Sequence, residues 1–373
     1  MGKKCEIKEG VILKKIMSKV LVVVTSIALL ATAGCGKTVS TTPATQATPV
    51  IRIAQQGAYD TWATYALQKS GEDKKNGFEI KMNYFDSGPQ QIEALAADQW
   101  DIAAVGAIPA LVGALKYDLQ IIGIADDESL ATTILARPDS PVFKTKGFNP
   151  AAPEVYGSPT DVKGKELFVT TITTGHVLLI KYLQTLGLTE KDVKVMNMEQ
   201  PQMLSAFDSG KGDMAVMWSP FTYTGMDKGW KVVADASTVN AQAMIYLVAS
   251  KKFCDAHPEL VTKFIDSYIT KQAEQKKNEL SLAPVYSAYE KDWAGLTMDE
   301  KTSVTDMQKH LTYGVKDQLV WFDNAKGASK IETLITDASD AFTKGGKFTA
   351  DEHAQILKFS YLNTTFLKTL GAK

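Results

Sequence analysis

Two stretches decide the fold class: QQIEALAADQWDIAAVGAIP at 90–109 and QMLSAFDSGKGDMAVMWSP at 202–220. An offset of 112 residues aligns Gln90 with Gln202, Ala94 with Ala206, Leu95 with Phe207, Asp101 with Asp213, Ile102 with Met214 and Ala103 with Ala215. Each copy reads as a helix, a polar turn and a short apolar strand that ends near a proline, Pro109 or Pro220. An apolar run without alternation suits a strand buried on both faces, and helix–strand repetition suits a largely parallel sheet. The echo predicts two lobes of common architecture.

Working outward, apolar β-rich runs fall at 51–54, 78–85, 101–105, 119–124 and 132–136, and a second series at 166–169, 193–198, 214–218, 231–234 and 243–249. Helical patterns lie between them, at 59–70, 90–97, 109–115, 175–186, 202–209 and 221–229. This alternation predicts α/β units with right-handed crossovers. The Pro- and Gly-rich segment 137–160 separates the two series, and beyond Pro258 the pattern turns mostly helical. The expected organisation is a leader at 1–34, a tether at 35–50, a first lobe at 51–137, a second at 138–242, and a return to the first over 243–373.

The chain has 373 residues, 45% hydrophobic and 22% charged, which is globular composition. Its formal net charge of −1 gives no basic field for nucleic acid. Arg52 and Arg137 are the only arginines, so bidentate guanidinium clamps are scarce and an anion site must use other donors.

At the N-terminus six lysines stand against two glutamates in 1–19, followed by an apolar run of 14 residues, Val20–Ala33, and then Gly34–Cys35. That run is shorter than the ~20 residues a membrane span needs, and the arrangement is that of a secretory signal. Leu30-Ala31-Thr32-Ala33-Gly34-Cys35 is similar to a bacterial lipobox, with Thr32 where leucine is usual, which makes Cys35 a lipidation site; a plain signal peptide is the alternative. Met17 offers a second possible start. Residues 36–50 are rich in Thr, Ala and Pro and read as a tether. With Cys5 removed and Cys35 lipidated, Cys254 stands alone and no internal disulfide forms.

Ligands in open α/β sheets bind beyond the carboxyl ends of strands, where helices begin. Four such ends carry small or hydroxyl residues: Ser87-Gly88-Pro89, Gly106-Ala107-Ile108-Pro109, Thr173-Thr174-Gly175-His176 and Trp218-Ser219-Pro220. The first N–H groups of a helix lack internal partners and favour negative charge. Facing one cleft, several such termini would hold a small acid without arginine; singly, each also reads as an ordinary cap. Tyr59, Trp62, Trp218, Phe221 and Tyr223 gather at the same ends, as core or as a ligand wall. Cys254-Asp255-Ala256-His257 has metal-like spacing, but a helix start at His257-Pro258 accounts for it.

Ile51–Ala54, Phe85–Gly88, Asp101–Pro109, Thr173–His176, Asn197–Pro201, Asp213–Pro220 and Lys252–Phe264 resemble the solute-binding lipoproteins of nitrate/sulfonate/taurine-type ABC importers, in particular the taurine and alkanesulfonate branch. The resemblance covers 51–269 in order. It implies a two-lobed periplasmic-binding-protein fold of type II, with two crossing strands and a cleft that closes on a small organic anion. It implies a ligand shell of Gln56, Tyr59, Ser87, Gly88, Gly106, Ala107, Thr173, Thr174, Gly175 and His176, with Trp218 stacked on the ligand. No catalytic residue, metal or cofactor is implied. The partners would be the permease subunits and, through the lipid, the outer face of the cell membrane, and the protein would be a monomer.

Met244 and Ile245 stand where the resemblance implies that a taurine binder places a carboxylate; Asp126, Asp127 and Glu128 could substitute, but an acidic loop is ordinarily solvated, so a sulfonate is expected rather than taurine itself. The segment 142–159 is an insertion. A same-fold enzyme of the thiamine-pyrimidine synthase type is the alternative, although its cysteine-rich iron motif has no counterpart here. Replacing Cys35 by alanine is expected to move the protein from the membrane fraction to the soluble fraction; full retention on membranes would contradict the lipobox reading.

Overall fold

The computed structural model describes residues 48–372. The leader, Cys35 and the tether as far as residue 47 lie outside the described residues. No helix among the described residues is long and apolar enough to cross a membrane.

The chain opens with β1 (Val50–Gln55), α1 (Tyr59–Ser70), α2 (Glu72–Lys75), β2 (Glu79–Tyr84), α3 (Gly88–Ala96), β3 (Ile102–Gly106), α4 (Ala107–Tyr117) and β4 (Leu119–Asp127). It continues through β5 (Thr133–Ala136), α5 (Pro159–Val162), β6 (Glu166–Val169), α6 (Thr174–Thr185), β7 (Lys194–Asn197), α7 (Gln200–Asp208), β8 (Met214–Met217), α8 (Phe221–Asp227) and β9 (Lys231–Asp235). Then come β10 (Met244–Ser250), α9 (Lys251–Ala256), α10 (Pro258–Lys277), α11 (Glu279–Trp293), α12 (Glu300–Lys309), α13 (Val315–Phe322), α14 (Lys330–Lys344), α15 (Ala350–Ile356) and α16 (Thr365–Gly371).

Two five-stranded sheets result, ordered β2-β1-β3-β10-β4 and β7-β6-β8-β5-β9. In each, the first three strands are parallel and the fourth runs antiparallel to both its neighbours. That fourth strand is the one arriving from the other sheet's stretch of chain, so the backbone crosses twice, at 128–132 and 236–243. The echo has a structural counterpart: β3 and β8 occupy the same third place, each preceded by its helix.

One expectation is corrected. The sequence pattern puts the run 132–136 in the first series and the lobe boundary at 137, but β5 pairs with β8 and β9 in the second sheet. Its four residues are buried on both faces, so composition gives no clue to the partner. Pairing is fixed by strands about 80 to 100 residues later in the chain.

Both arginines serve the framework. Arg52 forks onto Asp101, with N–O distances of 2.6 and 3.1 Å, and also reaches Asp98. Arg137 lies over the Phe207 ring and donates to the carbonyls of Phe207 and Gly212. Cys254 is buried in α9, and His257 caps α10 while packing against Phe253.

The edge strand β4 is covered by the C-terminal chain. Ile121 bridges to Leu362, and Asp127 bridges to Leu311. Gln318 of α13, fully buried, accepts from the Ile124 N–H at 2.8 Å and donates to the Ile124 and Tyr313 carbonyls at 3.0 Å each. A buried polar group left without its partner costs about 1–3 kcal/mol. Gln318→Leu is therefore expected to lower the melting temperature with secondary structure retained; an unchanged melting temperature by circular dichroism would show that this edge needs no such cover.

Candidate functional site

At the carboxyl ends of the central strands of both sheets lies a cavity whose empty space, open solvent at its mouth included, is about 390 Å³. From the first sheet it is lined by Gln56, Ala58, Asp60, Gly88, Gly106, Pro109, Glu128 and Ile245. Thr173, Thr174, Gly175 and Trp218 line it from the second. No lysine or arginine is among them.

Helix starts make most of this wall. Thr173 caps α6 in extended conformation (φ −125°), and its hydroxyl accepts from the His176 N–H at 3.3 Å. The N–H groups of Thr174 and Gly175 open the helix and have no carbonyl one turn back to meet. Thr174 Oγ1 is buried without a partner. The helix dipole adds partial positive charge at the same point. α4 follows β3 with no loop, so Gly106 is both strand end and helix cap. A β-carbon on Gly106 would overlap Thr174 Oγ1, and one on Gly88 would stand 2.5 Å from Pro109 Cγ. Trp218, 8% exposed at the end of β8, lies beside Gly175.

Ile172 holds the loop before α6 in left-handed conformation, φ +60°. For a β-branched residue that is a strained geometry, of the kind that gathers at functional sites. His176 fixes it: Nδ1 accepts from the Ile172 N–H at 3.2 Å and Nε2 lies 2.8 Å from Glu190 Oε1. A neutral imidazole bearing its proton on Nε2 satisfies both bonds.

The residues anticipated from sequence therefore divide. Gln56, Gly88, Gly106, Thr173, Thr174, Gly175 and Trp218 line the cavity. His176 does not: it is fully buried against Phe342 and braces the loop from behind. Ser87 is turned to Glu199, donating to its Oε1 at 3.1 Å, with Gln90 Nε2 adding a bond at 3.3 Å. The start of α3 thus meets a carboxylate of the protein itself. Tyr59 stacks on His310 (centroids 4.4 Å, 19°) in an aromatic cluster with Trp62 and Tyr286. Ala107 is buried as the first residue of α4 and is not in the lining.

The sequence does not single out Asp60 as a site residue, and it offers Glu128 only as a substitute carboxylate in a loop expected to be solvated. Asp60 looks like a helix-start acid, and Glu128 like part of a solvated acidic loop. Asp126, Asp127 and Glu128 are in fact 1%, 8% and 5% exposed. Burial, reinforced by Asp126, pushes the Asp60 carboxyl up to about 8. Burial and Asp126 also raise Glu128 well above the usual carboxylate range. Behind them His310 lies between Asp126 (2.5 Å) and Asp306 (3.1 Å). Burial opposes its charge, but these two carboxylates outweigh it and hold the imidazolium well above its ordinary range. Asp306 also accepts from Ser219 at 2.6 Å and Tyr286 at 2.7 Å, tying α12 to the loop after β8.

The sign of the pH dependence follows. A carboxyl raised on folding keeps its proton in the folded chain after the unfolded chain has lost it, near pH 4. Stability from Asp60 is thus lost as pH climbs from ~4 toward 8, and that from Glu128 is lost in the same direction. His310, raised from its ordinary value, contributes below ~6.5 and is lost at higher pH, in the same direction. The melting temperature is expected to fall between pH 5 and pH 8, and D60N with E128Q to flatten that slope. A profile rising over this interval would contradict the assignment.

Similarity to known proteins agrees with this architecture. The chain is 27% identical over 197 residues to a Brachyspira hyodysenteriae protein provisionally named an ABC transporter periplasmic binding protein, covering 53% of this chain and 57% of that one. It is 28% identical over 216 residues to a Bacillus subtilis protein provisionally named an aliphatic sulfonates-binding protein, covering 57% and 61%. The chain thus spans less than two thirds of the length of these two relatives. With the taurine-binding periplasmic protein of Escherichia coli it shares 26% over 307 residues, 77% of this chain and 90% of that one. Among solved structures, the periplasmic aliphatic sulphonate binding protein SsuA of Escherichia coli superposes with a TM-score of 0.65 at 18% identity, covering 85% and 92%. The periplasmic nitrate-binding protein NrtA of Synechocystis gives 0.65 at 12%, covering 87% and 89%. These two show a shared fold. Residues 38–283, well over half of the sequence, match one family throughout, and the chain belongs to the NMT1-like family.

Proposed function

We propose that this protein is the solute-binding component of an ABC importer, capturing a small organic anion of the aliphatic sulfonate or taurine-like kind outside the cytoplasmic membrane and delivering it to the permease. One observation carries the reading: a cavity between two sheets is walled by helix starts, with no lysine or arginine in its lining. Main-chain N–H groups at the start of α6 and the Thr174 hydroxyl supply the donors, and water-excluding walls strengthen them. Nothing in this arrangement requires catalysis. The names of the relatives support the importer assignment.

In this reading Gln56, Gly88, Gly106, Thr173, Thr174 and Gly175 surround the solute, and Trp218 covers it. Cys35 carries the lipid anchor, and residues before the first strand serve as its tether. In this reading the lobes keep the bounds proposed from sequence, with β5 moved to the second.

The test is a panel of small sulfonates, carboxylates and nitrate, read by thermal shift and titration calorimetry. At least one is expected to raise the melting temperature by mass action. Trp218→Ala should then weaken that ligand by about 1–3 kcal/mol, the scale for burying a large apolar side chain. An unaltered Kd in the folded variant would return Trp218 to the core.

A further inference from the structure

The helices α3 and α7 follow the edge strands β2 and β7, and the 112-residue offset relates their first residues: Ser87 corresponds to Glu199, Pro89 to Pro201 and Gln90 to Gln202. Ser87 stands at the cap of α3 and Glu199 at the cap of α7, and neither side chain caps its own helix. They bond to each other instead. Ser87 Oγ donates to Glu199 Oε1 at 3.1 Å, and Gln90 Nε2 donates to the same oxygen at 3.3 Å. The Gln90 amide is oriented for this, because its Oε1 accepts from the Asp86 N–H at 3.3 Å.

Both helix starts are fastened to their own sheets. Gln91 of α3, fully buried, donates to the carbonyls of Ala54 in β1 at 3.0 Å and Ala104 in β3 at 3.1 Å. Gln200 of α7, also fully buried, donates to the Val216 carbonyl of β8 at 3.2 Å and to Thr170 Oγ1, just past β6, at 3.3 Å. The bond between Ser87 and Glu199 therefore ties one sheet to the other, not one loose loop to another.

Its place decides what it does. β2 and β7 stand first in the two strand orders, whereas the chain crosses from β4 to β5 and from β9 to β10, which hold the last two places in each sheet. β2 and β7 run parallel to β1 and β6, so their exits share the end of each sheet where the cavity lies, and Gly88 lines that cavity. The contact is thus remote from both crossings. Two bodies hinged at such crossings separate most at the far edge. Among the described residues no lysine, arginine or histidine pairs with Glu199; Tyr84, Asp86 and Glu93 are the titratable groups close by. Its Oε2 is buried with no partner, a cost that opening relieves.

We propose that Ser87, Gln90 and Glu199 form a latch that holds the cleft shut while it is empty, so that a solute enters only after the Glu199 bonds have broken. Water replaces those bonds on opening and reaches Oε2, so the latch biases the equilibrium and does not lock it. The inference needs the two sheets and the cavity, not the identity of the solute.

The experiment is hydrogen–deuterium exchange of the full chain with no solute added, comparing the unaltered protein with E199A, S87A, E199Q and the E199A/S87A pair, each checked for an intact melting transition by circular dichroism. The deciding amides are Thr174 and Gly175, which open α6 across the cavity and touch none of the latch residues. E199A is expected to speed their exchange on the order of tenfold, the scale of hydrogen bonds to a charged group. S87A, which leaves the Gln90 bond, should speed it less. E199Q keeps an oxygen for the Ser87 hydroxyl and should stay nearer the unaltered protein. The pair should match E199A alone, because the two residues share one bond.

Faster exchange confined to the starts of α3 and α7 would make Ser87 and Glu199 local caps only, and overturns the latch. So does unchanged exchange at Thr174 and Gly175, or a pair that clearly exceeds E199A. None of these outcomes depends on what the cleft binds, so failure of the latch leaves solute capture standing.

Discussion

Thr174 Oγ1 occupies the space that a side chain at Gly106 would fill. Gly106 ends β3 in the first sheet and Thr174 opens α6 beside the second, so this contact sets how closely the two strand ends approach. The cavity, its glycine-lined walls and the exposure of the α6 N–H groups to it all depend on that approach. Any larger residue at Gly106 would push the helix start away from the space it borders. The strained Ile172 and the buried His176–Glu190 pair hold the same helix start from the other side.

Much of the fold was legible because buried strands and amphipathic helices write their period into the sequence. The runs at 51–54, 166–169 and 231–234 all fall within observed strands, and the 112-residue echo marks equivalent places in two sheets. Pairing was not legible for β5, whose four apolar residues look alike on either face and whose partners lie far along the chain. The site divides along similar lines. Gly88, Gly106 and Thr173–Gly175 announced themselves because backbone approach requires small residues and caps require hydroxyls. Ser87 and His176 carry the same local signature, yet their partners, Glu199 and Glu190, are set by tertiary packing. Asp60 and Glu128 were hidden because an acid at a helix start or in an acidic loop is ordinarily solvated.

The C-terminal third explains why those acids are buried. α11 and α12 close over α1 with Tyr286, Tyr289, Met298 and Met307, and bring Glu290, Asp306 and His310 behind the cavity wall. Glu290 is fully buried with neither carboxyl oxygen paired, and burial, then Asp306, holds it well above the usual range. The His310 imidazolium sits among several carboxyls, and burial favours the protonated form at Asp60, Glu128 and Glu290. A region that covers β4, locks Ser219 and lowers the dielectric around Asp60 thereby shapes the chemistry of a cleft that it does not itself line.

The most direct measurement is a crystal structure of the chain with a solute from the panel in the cavity. The account predicts the solute beside Trp218, its acidic oxygens within hydrogen-bond range of the Thr174 and Gly175 N–H groups, with neither arginine in contact. An acid held instead by Arg52, Arg137 or a lysine, or seated outside this cavity, would contradict it.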